Sequence, residues 1–71
     1  MELKVGDKFQ QAWKGCMRPL AFEVLRIDRP NNSLRVKVIG TNGYVHEEDW
    51  DDLDVTESAF EIGEYKMIES F

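Results

Sequence analysis

The sequence predicts a small, mainly β domain: a single, strongly bent five-stranded antiparallel barrel or half-barrel with a short helical turn before its last strand. Three observations lead there. Leu34, Val36 and Val38 alternate with Arg35 and Lys37, placing apolar side chains on one face of a strand and basic ones on the other. Asn42-Gly43 follows, a pair that accepts the positive φ angles of a tight hairpin turn with little steric penalty. In residues 20–28 the apolar phase slips: Leu20, Phe22 and Val24 mark one face, Leu25 and Ile27 the other. Such a slip signals a bulge or bend, which a barrel needs where one strand serves two sheets that meet at a corner.

The elements follow in order. Val5-Gly6-Asp7 forms a turn into a first strand that runs through Trp13, with Phe9, Gln11 and Trp13 on one face. Gly15 and Pro19 punctuate a loop, and the bent second strand starts near Leu20. Residues 29–33 (Arg-Pro-Asn-Asn-Ser) make a turn into the third strand. A two-residue turn at Asn42-Gly43 would bring Glu47 and Asp49 onto the face of Val38 and Val36, which is costly for ionised groups. A three-residue Thr41-Asn42-Gly43 loop with Gly43 left-handed instead sets Lys37 against Glu47, Arg35 against Asp49 and Trp50 against Leu34. That register is favoured, or else an early end to the fourth strand near His46. The run 47–54 is too acidic for a regular strand throughout, so Trp50 and Leu53 are expected on one helical turn. A second short helix is expected over 55–62, capped by Asp54, lined by Val55, Ala59 and Ile62, and ended by Gly63. Residues 64–68 close the fold as a strand.

At 71 residues the chain is one domain with a small core. No apolar run approaches the length of a membrane span and the opening residues lack a signal-peptide pattern, so a cytoplasmic protein without membrane contact is expected. The single cysteine, Cys16, has no partner for an internal bridge and reads as a small semi-buried apolar residue or an idle loop thiol. Charge is divided unevenly. Residues 1–40 carry eight basic and four acidic side chains, whereas 41–71 carry Lys66 against ten acids. In so small a fold the halves lie side by side and neutralise each other across strands.

The chain contains no nucleophile elbow, no metal-spaced Cys/His set and no phosphate-cradling glycine loop. The acidic run fails the spacing of a calcium loop at both of its possible starts, Asp49 and Asp52. A loose divalent site drawn from His46, Glu47 and Asp49 is the alternative to a solvated acidic face. No cofactor and no enzymatic activity are expected.

From Val5-Gly6-Asp7-Lys8 through Ala12-Trp13, the second and third strands, and Val45 with Asp52-Leu53, the succession of features resembles an SH3-like barrel, and within that class a Tudor-type module. The resemblance implies a binder rather than a catalyst. It also implies an aromatic cage for a methylated cation, with Trp13 and Phe22 where two walls would stand. The aromatic that such a cage takes from just before the main hairpin turn is absent; Gly40 to Gly43 stand there, and Tyr44 comes after. The aromatics Trp13, Phe22, Tyr44 and Trp50 are therefore expected mainly at the core and its edge. The leading expectation is a binding module for a protein partner, or a homodimer paired through the last strand, where Met67, Ile68 and Phe71 leave an apolar edge. Nucleic acid is the alternative partner. Arg35 and Lys37, with Arg26, Arg29 and Lys14 near, would track phosphates beside Trp13 or Tyr44, although a pI of about 4.7 weighs against this.

Overall fold

Pairing, more than length, fixes which of these segments become strands. The computed structural model describes residues 1–15 and 17–71, so the reading of Cys16 lies outside the described residues. The elements are β1 (Lys8–Gln11), β2 (Ala21–Asp28), a 3-10 turn over Arg29–Asn31, β3 (Ser33–Ile39), β4 (Val45–Trp50), α1 (Leu53–Glu61) and β5 (Tyr65–Ile68). The strands form one sheet in the order β4-β3-β2-β1-β5, each neighbour antiparallel. This is the mainly β class expected, with a helix before the last strand. The expected barrel is not closed, because β4 and β5 are the edges of the sheet and no ladder joins them.

The phase slip in β2 is a bulge. Val24 faces Val36 and Arg26 faces Arg35, which leaves Leu25 as the extra residue. Up to the bulge β2 also carries the chain before and within β1, through Val24 N to Asp7 O at 2.9 Å and Gly6 N to Val24 O at 2.8 Å. Beyond it β2 runs on with β3 alone. The β3–β4 turn is the three-residue loop: Gly40 N donates to Tyr44 O, Gly43 N donates to Gly40 O, and Gly43 has φ +84°. Leu34, Arg35 and Lys37 accordingly face Trp50, Asp49 and Glu47.

Three expectations are corrected. First, β1 stops at Gln11, and Trp13 leaves the sheet with 48% of its surface exposed. Ala12 N donates to Glu64 O, and the chain then turns at Gly15, which has φ +91°. Second, the acidic run is strand as far as Trp50. Its outward carboxylates are matched by Arg35, whose Nε and Nη1 each lie 2.9 Å from Glu47 and Asp49 respectively. Third, after β4 the chain forms one helix, not a turn and a helix, and Asp52 holds the cap position. Asp54 is engaged elsewhere, because Asn32 accepts from the Asp54 N–H at 2.9 Å and donates to its carboxylate at 2.8 Å. The buried face is Leu53, Thr56 and Ala59, while Val55 and Ile62 are exposed. Gly63 ends the helix as expected; with φ +82° it donates to Phe60 O while Glu64 N donates to Ala59 O.

The core lies on the inner face of the sheet, under α1 and the N-terminal segment. Phe9, Phe22, Val24, Leu34, Val36 and Val38 supply the sheet's share; Leu3 and Leu53 cover them. Phe9 is fully buried at the centre of an aromatic cluster, with ring centroids 5.0 Å from Phe22, 5.1 Å from Tyr65 and 5.2 Å from Phe60. No helix among the described residues is long and apolar enough to cross a membrane.

Candidate functional site

The three-residue hairpin loop has a second consequence, since alternation along β4 sends Glu47 and Asp49 outward but His46, Glu48 and Trp50 inward. These three pair with Val38, Val36 and Leu34, all on the core face. The sheet is open here, so two polar side chains stand at the edge of the core without being sealed in it. They line a cavity of about 360 Å³ whose floor is Phe22 and Val38 and whose walls include Tyr44, Trp50 and Tyr65. Gln11, paired with Tyr65 across β1 and β5, closes one side and holds the Leu20 N–H through its side-chain oxygen at 3.0 Å.

Glu48 is the anionic group of this cleft. One carboxylate oxygen accepts the Trp50 indole N–H at 2.9 Å, and the other lies 2.6 Å from His46 Nε2. The indole hydrogen bond, followed by that of His46, holds the Glu48 carboxyl below its ordinary value. The contact places the proton on Nε2, leaving His46 Nδ1 shielded from solvent and without a partner among the described residues. The imidazole sits against Tyr44, ring centroids 5.5 Å apart. Burial, helped by the charges of Asp52 and Glu64, raises the Tyr65 phenol above its ordinary value, so the ring is a neutral wall.

A second cavity, about 390 Å³, shares Trp50 and Tyr65 with the first. Its other lining residues are Asp51, Asp52 and Thr56. Thr56 Oγ1 donates to Asp52 at 3.4 Å. Among the described residues no lysine or arginine pairs with Glu48, Asp51 or Asp52.

Of the residues singled out from sequence, Phe22, Tyr44 and Trp50 come together in the cleft. Phe22 is core and Trp50 core edge, as expected, but Tyr44 is 64% exposed, so the expectation of a core position fails for it and for Trp13. Trp13 does not line the cleft, and the wall assigned to it by resemblance is supplied instead by Tyr44, Trp50 and Tyr65. Arg35 and Lys37 lie on the opposite face, Arg35 bound to Glu47 and Asp49 and Lys37 3.4 Å from Glu23. Arg26 also reaches Asp49, at 3.7 Å. Cross-strand neutralisation is thus what the outer face shows. The His46, Glu47 and Asp49 set is corrected: His46 shares the inner face with Val38, the two acids the outer face with Lys37 and Arg35. No group of three or more metal-ligating side chains forms among the described residues. Sequence reasoning missed Gln11, Glu48 and Tyr65 as site residues, and took His46 only as a ligand of the divalent set. For His46 and Glu48 the signal was present in the favoured register, which places them beside Val38 and Val36. No family model matches the chain, and no curated protein or solved structure matches it either.

Proposed function

We propose that the chain is a non-enzymatic binding module that docks a protein partner by taking a cationic side chain of that partner into the cleft. The observation that supports this is the composition of the cavity: faces of Tyr44, Trp50 and Tyr65 around the Glu48 carboxylate, whose partners among the described residues are the Trp50 indole and His46, not a lysine or arginine. An alkylammonium or guanidinium group over aromatic faces gains about 0.5–2 kcal/mol, more as it is desolvated. The net charge of −5, concentrated in residues 41–71, draws a basic partner toward the same end. The Tudor-type resemblance belongs with this reading and narrows the guest to a methylated cation, held by a cage whose walls differ from those first assigned. The nucleic-acid reading has less support, because the cations it relies on, Arg35 and Lys37, already face acids.

Titration calorimetry with short peptides tests the reading, each bearing lysine, trimethyl-lysine or the uncharged tert-butyl isostere of trimethyl-lysine. The charged peptides bind and the neutral isostere binds at least several-fold more weakly. Tyr44→Ala, at an exposed position, weakens binding without moving the unfolding midpoint. Equal affinity for the charged peptide and its neutral isostere sinks the reading. Self-association has its own support in the free edge of β5 beside the exposed Met67 and Phe71. Sedimentation at several concentrations decides it, and a monomer throughout removes it.

A further inference from the structure

Trp50 and Tyr65 line both cavities, so the two chambers are neighbours on either side of one aromatic pair. The first chamber holds Glu48. The second holds two carboxylates, of which Asp51 has no hydrogen-bond or ionic partner among the described residues and Asp52 has only the long contact from Thr56. Several acids elsewhere are matched: Glu47 and Asp49 by Arg35, Glu57 by Arg29, Glu23 by Lys37. Asp51 and Asp52, with no cationic partner among the described residues, share their chamber with the Trp50–Tyr65 pair.

From this juxtaposition we infer that the guest is an extended basic segment with two cationic side chains, the second entering the chamber formed by Trp50, Asp51, Asp52, Thr56 and Tyr65. The inference rests on the cleft reading above and names the partner's chemistry more closely. An extended chain crossing the Trp50–Tyr65 pair projects side chains to one side at every second residue, about 7 Å apart, the scale of a step over one aromatic ring. Charge complementarity selects the occupant. A neutral apolar side chain in the second chamber would desolvate Asp51 and Asp52 without compensation, whereas an ammonium or guanidinium group would satisfy them.

The test compares a glycine-serine peptide carrying one trimethyl-lysine with versions carrying a second lysine one to four positions away. Binding is read by Trp50 fluorescence in a Trp13→Phe background. At least one spacing binds about three- to fivefold tighter than the single-cation peptide, the scale of one partly exposed ion pair. Asp51→Asn with Asp52→Asn erases that difference; asparagine is as good as aspartate at a helix cap, and the unfolding midpoint verifies that the fold is kept. A double variant at Glu2 and Glu69, each to Gln, removes the same charge from exposed positions outside both chambers and preserves the difference. Pairs that bind no tighter than the single cation at every spacing overturn the second chamber while leaving the first. Equal loss in both double variants also overturns it, since the gain would then be long-range attraction. Failure of the single-cation peptide to bind removes the cleft reading itself, and this inference with it.

Discussion

Arg29 and Glu57, 28 residues apart, close a two-pronged ion pair that ties the β2–β3 turn to α1 and holds the N-terminal segment between them. Arg29 Nη1 and Nη2 donate to the two Glu57 oxygens at 3.1 and 3.0 Å. The Leu3 backbone completes the junction, its N–H donating to Glu57 at 2.6 Å and its carbonyl accepting from Arg29 at 3.1 Å. Leu3 is thereby fixed over the core, 1% exposed. The hydrogen bond from Arg29 holds the Glu57 carboxyl below its ordinary value of 4.5, against the opposing effect of its burial. A carboxyl depressed in the folded state contributes stability that is fully present above its ordinary value and is lost as pH falls through the depressed one. Urea unfolding from pH 7 to pH 2 should therefore show a loss below pH 4.5 that Glu57→Gln reduces. At pH 7 the variant should be less stable by about 1 kcal/mol, with an unchanged denaturant slope. Parallel pH profiles for the two proteins would refute the assignment.

Asn32 starts α1 from another part of the chain. Its backbone carbonyl accepts the Leu53 N–H at 3.0 Å and its side-chain oxygen the Asp54 N–H at 2.9 Å, so two orphan donors of the first turn are met by one residue. It does so in the left-handed conformation, φ 53°, which asparagine tolerates better than most residues. Asn32→Gly keeps the conformation and loses the side-chain bonds, whereas Asn32→Ala loses both. Thermal unfolding should rank wild type above Asn32→Gly above Asn32→Ala, with the alanine variant down by about 2 kcal/mol. Equal stability of the two variants would mean that the backbone conformation carries no cost.

Gly43 isolates the hairpin's backbone requirement. A Cβ built on it meets nothing within 4 Å, so any cost of Gly43→Ala comes from φ +84° alone. The expected loss is about 1 kcal/mol, without change in the cleft. Chemical denaturation measures it, and an unaltered midpoint would contradict the left-handed turn.

The parts of the fold legible in the sequence were those fixed locally. Alternation at Leu34, Val36 and Val38, the Asn42-Gly43 turn, and the cost of turning Glu47 and Asp49 inward favoured the observed β3–β4 register, or else an early end to the strand, and the slip after Val24 marked a bulge or bend, which is the bulge at Leu25. What escaped depended on distant partners. Asp54 has the residue type of a helix cap, yet the helix starts before it at Leu53, and Asn32, 22 residues from Asp54, accepts the Leu53 and Asp54 N–H groups. The acidic run reads as a poor strand until Arg35 is seen to hold two of its carboxylates. The cleft was half legible: Phe22, Tyr44 and Trp50 stood out as aromatics, whereas Tyr65 enters only through pairing of β5 with β1, at Gln11. Closure failed because alternation says which way side chains point, not whether the last edge meets the first.

The electrostatics of the cleft provide a direct test of its geometry. The Trp50 indole N–H is the largest influence depressing the Glu48 carboxyl, ahead of His46. Trp50→Phe keeps an aromatic ring against Phe22, whose centroid is 5.1 Å from that of Trp50, but removes the donor. The Glu48 titration, followed by carbon-13 NMR of the side-chain carboxyl, should then move up toward 4.5. His46→Phe should move it in the same direction. Because the ionised form loses a hydrogen bond in each case, the shift must be upward; a downward or absent shift in Trp50→Phe would mean that indole and carboxylate are not joined in solution. The same variant should bind a cationic peptide more weakly, since a freed carboxylate oxygen regains water and must lose it again when the guest enters.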